Sequence, residues 1–306
     1  MAVTGATGVI GRSVVPTLVA AGHDVVGLAR TPENAHLLHS LGAAAHHTSL
    51  ADPDGLVAMF EGADVVCNFA THVPVGLSAV RPRAWRTNDR LRTEGVRRVV
   101  EAAREARVRR VVQESLSFLY ADQGDAWVRE DSPVEITRAT EPASVGELHV
   151  QDYTCGSRAG VVLRFGTIVG DDPLTRFQLR AVQHGHAIGL GSPEGWAHVV
   201  HTDDLGTAVL AALHVPSGVY NVGAEPVRRV QLVAGYSAAA GRESIDFVGP
   251  LLRRMGGARL EPLTRSLRVS SEHFAAQSGW RPDRASFDPS WFSGALPGDV
   301  VGQGLR

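Results

Sequence analysis

Along this chain, short runs of consecutive apolar residues alternate with longer stretches in which apolar positions recur at a helical period, and no low-complexity linker interrupts them. Met1-Ala2-Val3 is the first run, and Arg12 to Ala21, closed by Gly22, predicts the first helix. Val25-Val26-Gly27-Leu28 predicts a second strand ending at Ala29-Arg30, followed by a helix through Leu41 and a strand near Ala45 to Thr48. Asp52 is placed to cap a short helix that ends at Gly62. Asp64 to Phe69 reads as a buried fourth strand running out into Ala70, Thr71 and His72. An arginine-rich helix is predicted from about Asn88 to Ala106, then a fifth strand from Arg109 to Gln113 that ends at Glu114 and Ser115. This rhythm predicts an α/β fold built on a doubly wound parallel sheet.

Beyond the fifth strand the spacing loosens. Residues 121–142 are polar and proline-bearing, a loop expected near the active site, and Ser144 to Tyr153 predicts a helix. Gly160 to Arg164 is a further strand, after which Phe165 to Gly170 leaves the sheet. A helix around Leu174 to Gln183 and a strand around Trp196 to Val200 follow. Asp203 or Asp204 then caps a helix reaching Leu213, and Gly218 to Val222 returns to the sheet. From Pro226 onward the elements are short. The expected division is a dinucleotide-binding domain of 1–165 and 199–224, with a smaller α/β substrate domain of 166–198 and 225–306 and a substrate cleft between them. The first strand has only Met1 to Val3 before its turn, against a usual ~5 residues, so its true start could lie upstream.

The turn after that first strand carries the chemistry. Thr4-Gly5-Ala6-Thr7-Gly8-Val9-Ile10-Gly11 spaces glycines as G-x-x-G-x-x-G between a strand and a helix. In that setting Gly5 allows a tight turn, Gly8 lets the backbone approach a pyrophosphate, and Gly11 lets helix and strand pack closely. The phosphates would lie on the helix N-terminus, over Thr7, Gly8, Val9, Ile10 and Gly11. About twenty residues beyond such a loop, an acidic side chain serves the 2′-hydroxyl of NAD, whereas an arginine suits the 2′-phosphate of NADP. Arg30 stands there and points to NADPH, with NADH also acceptable, and Arg12 is a second candidate phosphate contact. Ser49 and Leu50, closing the third strand, lie where an adenine would rest. Phe69, Ala70 and Thr71 would flank the cofactor farther along.

Composition narrows the chemistry. With 306 residues, 44% of them hydrophobic, the chain can bury a large core. A net charge of −2 and the lack of long basic runs argue against a nucleic-acid partner, and no apolar run approaches a membrane span. No signal peptide is read, and Cys67 and Cys155 fit a reducing cytoplasm and supply no metal set. The pairs His46-His47 and His184-x-His186 lack a third ligand and read as surface residues. All 30 basic residues are arginine. A chain without lysine has no Schiff-base lysine, no P-loop lysine and no lysine-assisted acid or base.

Taken together, the glycine motif, Asp64 to Ala70, Asn88, Ser115 to Tyr120, Leu163-Arg164-Phe165-Gly166, His201-Thr202-Asp203-Asp204, Tyr220-Asn221-Val222, Arg268-Val269-Ser270 and Gly279-Trp280-Arg281-Pro282 resemble the extended short-chain dehydrogenase/reductase superfamily, in its epimerase/dehydratase-like branch. The resemblance implies a Rossmann fold, a nicotinamide cofactor and a Ser/Thr, Tyr and Lys relay with tyrosine and lysine spaced Tyr-x-x-x-Lys. Here the register puts Ala143 at the tyrosine position and Glu147 at the lysine position, and counting back from Tyr120 puts Leu116 at the serine position, between Ser115 and Ser117. The missing dyad makes the chain similar to atypical, simocyclinone-type ketoreductases of angucycline antibiotic pathways.

The expected function is therefore an NAD(P)H-dependent reductase of a polycyclic aromatic, polyketide-type ketone, in which a neighbouring phenol on the substrate stabilises the oxyanion. Two other readings stand beside it: a redox-silent isomerase, dehydratase or cyclase using His72, Glu147 or His201, and a non-catalytic NADP-binding regulator. His72 and Ser115 are the candidate catalytic residues. Phe165, Gly166 and Ile168 are expected to wall the nicotinamide carboxamide, while Tyr120 and Tyr153 are expected to pack. The small-molecule aromatic partner carries no further identity, and the oligomeric state stays open.

Overall fold

The computed structural model describes residues 1–249 and 259–295. Parts of the expected substrate domain, 250–258 and 296–306, lie outside the described residues.

Among the described residues seven strands form the main sheet: β1 (Ala2–Thr4), β2 (Val26–Ala29), β3 (Ala44–His47), β4 (Val65–Asn68), β5 (Arg110–Leu116), β7 (Ala159–Phe165) and β11 (Gly218–Val222). Their order is β11-β7-β5-β4-β1-β2-β3, and every pair is parallel. Strands buried on both faces need apolar side chains on both, which is why they read as runs rather than alternations. One face packs Val14, Val15 and Leu18 of α1 (Val9–Ala20) with Leu205 and Val209 of α8 (Asp204–Ala212). The other packs Leu56 and Phe60 of α3 (Pro53–Phe60) with Val96 and Val99 of α5 (Val96–Glu105). Strand order reverses between β1 and β4. The carboxyl ends of these two strands flank the crevice where a doubly wound sheet binds its ligand.

Several elements depart from the sequence expectation. The helix expected over Asn88 to Ala106 is three pieces: α4 (Arg86–Arg90), a π-helical turn Leu91–Gly95, and α5. β5 runs on to Leu116 because Glu114 and Ser115, which look like a strand's polar end, find partners and stay in register with Leu163 and Arg164 of β7. α6 is Glu141–Gln151, beginning before Ser144 because Pro142 falls in its first turn, where proline lacks nothing. Tyr153 consequently lies past the helix end. The strand expected over Trp196 to Val200 is broken at His198 into β9 (Trp196–Ala197) and β10 (Val199–His201). Asp203 makes no side-chain cap on α8, and the Asp204 carboxylate instead accepts from the backbone N–H groups of Asp283 and Arg284 at 2.8 and 3.3 Å.

Beside the main sheet, among the described residues, stand three two-stranded sheets: β8 (Thr167–Val169) with β10, β9 with β12 (Val227–Arg228), and β6 (Trp127–Val128) with β13 (Arg268–Val269). A third core cluster joins Val169, Leu179, Val199, Tyr236, Trp291 and Phe292, with α7 (Pro173–Gln183) and α9 (Arg229–Ala239) contributing. Among the described residues no helix is long and apolar enough to cross a membrane, and no group of three or more His, Cys, Asp or Glu is placed to hold a metal ion.

Candidate active site

The glycine turn is shaped by close approach. Gly5 has φ +66°, and a Cβ there would fall 2.4 Å from the carbonyl of Phe69 and 2.5 Å from the Ala70 nitrogen. A side chain would thus force the turn away from the end of β4. At Gly11 a Cβ would lie 2.4 Å from the carbonyls of Gly5 and Ala6, so this glycine lets α1 start directly under the turn. Gly8 is the N-cap of α1, exposed and without a side-chain cap, which leaves first-turn N–H groups facing outward. This backbone cradle fits a dinucleotide pyrophosphate: its tight turn depends on the missing side chains of Gly5 and Gly11, and its donors sit at a helix N-terminus.

Around it, Arg30 is exposed past β2, and Arg12 is exposed with its Nε donating to the Thr7 carbonyl at 2.9 Å. Ser49 and Leu50 are half-buried after β3, Ser49 accepting from the Ala51 N–H and the Leu50 carbonyl accepting from Arg98. Phe69 is buried, whereas Ala70 and Thr71 remain partly accessible. Of the expected carboxamide wall, Phe165 and Gly166 are buried and Ile168 is half-buried. β4 ends at Asn68, so His72 stands outside the strand. Its side chain is exposed, and the Asn88 carboxamide oxygen accepts its backbone N–H at 3.1 Å.

A polar chain fixes the strand ends beneath this crevice. Thr4 Oγ1 donates to Asn68, Asn68 Nδ2 donates to Gln113 Oε1 at 2.7 Å, and Gln113 Nε2 donates to the Glu114 carbonyl at 2.7 Å. At the end of β5 the Ser115 hydroxyl is committed. Ser115 is buried and donates to Glu147 Oε1 at 2.5 Å. Glu147, at the position the resemblance reserves for lysine, is gripped by Arg164 through Nε at 2.9 Å and Nη2 at 2.6 Å. Arg164 lies over the Tyr120 ring, 4.7 Å from its centroid; burial works against its charge, and the paired Glu147 carboxylate outweighs that and holds the guanidinium charged. Tyr120 donates to Asn221 Oδ1 at 2.8 Å, and Tyr153 donates to the Val108 carbonyl. Burial raises the pKa of both phenols, so neither is inclined to ionise.

Ser117 is fully buried, its hydroxyl unpartnered among the described residues. Leu116, which the resemblance puts at the serine position, is half-buried. His201 is buried and its pKa is lowered, chiefly by desolvation, while its Nδ1 accepts from the Asp203 N–H at 3.2 Å. Glu147 and His201 are thus tied into the protein. Sequence reasoning missed Arg164 as Glu147's partner. A lone charge inside the apolar run Val161-Val162-Leu163-Arg164-Phe165 was the available signal, because such a charge needs an opposite one within reach. A hollow of about 410 Å³ lined by Asp89, Arg90, Thr93, Glu94, Arg97 and His149 lies over α4, the π turn, the start of α5 and α6, and none of its lining residues belongs to the glycine cradle.

Comparison with known proteins agrees with this geometry. A model of the NAD dependent epimerase/dehydratase family matches residues 1–223. A 3-diazoavenalumate denitrifying reductase from a Streptomyces species is 32% identical over 312 residues, spanning 95% of this chain and 97% of that protein. A UDP-glucose 4-epimerase from Streptomyces lividans is 31% identical over 160 residues, covering 51% of this chain and 47% of that one. Among solved structures, MoeE5 in complex with UDP-glucose and NAD superposes with a TM-score of 0.73 at 22% identity, covering 92% of each chain. A UDP-glucose 4-epimerase from Thermotoga maritima gives 0.73 at 19% identity, covering 92% of this chain and 93% of its own. At these identities the structures speak for the fold.

Proposed function

The chain belongs to the NAD-dependent epimerase/dehydratase family and is a nicotinamide-dependent oxidoreductase; from that premise we propose that it passes a hydride to an aromatic acceptor without taking a proton from any of its own side chains. The observation behind this reading is the commitment of the Ser115, Tyr120 and Tyr153 protons to buried protein acceptors, in a chain that has no lysine. A bound nicotinamide supplies the hydride. The chain's part is to cradle the phosphates on Gly8 to Gly11, to hold a 2′-phosphate with Arg30, which favours NADPH, and to place the acceptor over the ends of β4 and β5. His72, exposed beyond β4, is proposed to touch the substrate, and Ile168 to edge the carboxamide.

Such a site demands a substrate with its own electron sink. A polycyclic aromatic ketone flanked by a phenol is one, because the phenol stabilises the oxyanion in a water-poor cleft. A diazo-bearing arene is another, and the 32% identical denitrifying reductase favours it. There the departing group leaves as neutral nitrogen, and no oxyanion forms. Purified protein should oxidise NADPH with a hydroxyl-flanked ketone or with a diazoarene, and should bind the ketone's methyl ether comparably while reducing it far more slowly. Equal rates for ketone and methyl ether, together with no turnover of the diazoarene, would show that the proton comes from the protein.

A further inference from the structure

The chain that leaves β4 reaches α4 by way of a strap, residues 72–85, made of two short helical turns, Gly76–Val80 and Pro82–Trp85. It is knitted from within: Ser78 Oγ donates to the Val75 carbonyl and Trp85 Nε1 to the Ala79 carbonyl, each at 2.8 Å. Asn88 holds its root through the His72 N–H. At its far end the Arg259 guanidinium lies 5.3 Å from the Trp85 ring centroid and forks onto Asp89 at 2.6 and 3.2 Å. Between these anchors the strap meets α7. Gly76, at φ +74°, faces the Phe177 ring so closely that a Cβ there would fall 3.1 Å from Cε2. In the sheet β5 runs between β4 and β7; the strap follows β4, and α7 follows β7 by way of β8. Neighbouring strands stand about 4.8 Å apart, so chains that leave β4 and β7 and then touch bridge the carboxyl end of the strand between them. Both sides of the bridge carry exposed apolar surface, Val73 at 48% and Phe177 at 39%. Yet α7 is firmly set: the Asp172 carboxylate accepts from the Leu174 and Thr175 N–H groups at 2.8 and 3.1 Å, Leu179 and Val182 are buried, and Gln178 Oε1 accepts from Tyr236 at 2.7 Å. A ring left partly open on so anchored a helix, across from the segment that carries His72, is contact area for a ligand.

We propose that Phe177 is the residue on which the acceptor stacks, and that its contact with Gly76 closes the acceptor site over the end of β5. This rests on the reductase reading above and names the side chain that selects among acceptors. A phenyl face rewards a flat ring system with offset stacking and gives a puckered skeleton of the same size only apolar contact. Glycine at 76 keeps the opposite side of the gap free of a side chain, so a flat ligand can slide between strap and ring. Closing the strap on the bound acceptor excludes water from the space in which the hydride passes. Phe177 makes and breaks no bond in this account; it decides what fits and how it lies.

The test reads binding apart from turnover. With saturating NADPH, calorimetry measures the affinities of 2-naphthol and decahydro-2-naphthol, which share a skeleton and carry no ketone to reduce. The wild-type protein should prefer the flat compound by about tenfold, the size of one aromatic stacking contact. Phe177→Leu keeps an apolar side chain and loses the ring, and should bring the preference to within about twofold, while Phe177→Tyr should restore it. Trypsin supplies the second readout. The chain has no lysine and Arg81 precedes a proline, which trypsin does not cut, so cleavage after the exposed Arg83 reports on the strap. Saturating 2-naphthol, added to the NADPH complex, should slow that cleavage about fivefold or more in the wild type and less than about twofold in Phe177→Leu. The same preference in the wild type and Phe177→Leu, or no slowing after Arg83 in the wild type, would overturn the proposal. If both readouts behave as stated but NADPH is oxidised with neither a hydroxyl-flanked ketone nor a diazoarene, the reductase reading fails while the stacking face stands.

Discussion

Arg30 is the residue whose role is simplest to isolate, being exposed at the end of β2 and remote from the reacting end. Arg30→Ala should weaken NADPH binding by about 1.5–3 kcal/mol, the worth of a forked contact to phosphate, and leave NADH binding nearly unchanged; equal losses would remove it from cofactor choice. The hydroxyls carry the opposite expectation. Loss of a general acid costs about 10² to 10⁴ in rate, so Tyr120→Phe, Tyr153→Phe and Ser117→Ala should each stay within about tenfold of the parent kcat. A thousandfold loss from any of them would locate a protein acid. His198 tests the packing around the crevice. It is fully buried, both ring nitrogens lack partners among the described residues, and burial pushes its pKa down to about 3. A base with a depressed folded pKa binds fewer protons folded than unfolded, so its contribution is complete above about 6.5 and is lost as pH falls toward 3. Thermal melts between pH 7 and 4 should fall more steeply for the wild type than for His198→Leu; parallel curves would mean that His198 is protonated or hydrated in the fold. None of this was visible from the residue's neighbours in sequence, because burial is a property of the packed whole.

At the scale of elements, the glycine turn was fully legible and the polar strand end was not. G-x-x-G-x-x-G announces itself because each glycine answers a steric demand that recurs wherever a backbone meets a pyrophosphate. Gly5→Ala should therefore destabilise the fold and abolish NADPH binding together, since its Cβ would collide with the Phe69 carbonyl at φ +66°. A variant that kept full cofactor affinity would show that the turn yields at little cost. The sequence pattern closes β5 at Gln113, because Glu114 and Ser115 resemble the close of a strand. What keeps them in the sheet are partners far along the chain, Arg92 and Glu147, which no local window contains. Likewise the helix register puts Glu147 at the position the resemblance reserves for lysine, and no local window shows that Arg164 of β7 holds its carboxylate.

For the whole molecule, the parallel order β11-β7-β5-β4-β1-β2-β3 follows from alternating strand and helix runs, and the crevice at the β1/β4 reversal follows from that order. The small sheets after β7 were less legible, because strands of two or three residues leave no periodic trace. The central claim concerns the molecule as a whole: an oxidoreductase fold that retains hydride transfer and has relinquished the protein's proton. Its most direct test is a turnover experiment with NADPH deuterated at the transferring position, run in light and heavy water on an acceptor that the protein reduces. The account predicts that the cofactor's deuterium appears at the reduced carbon, that the solvent isotope effect on kcat with a diazonium acceptor is about 1, and that no single side-chain replacement changes it. A solvent isotope effect of about 2 or more that disappears on replacing one protein residue would contradict it, and would identify the acid that this chain then possesses.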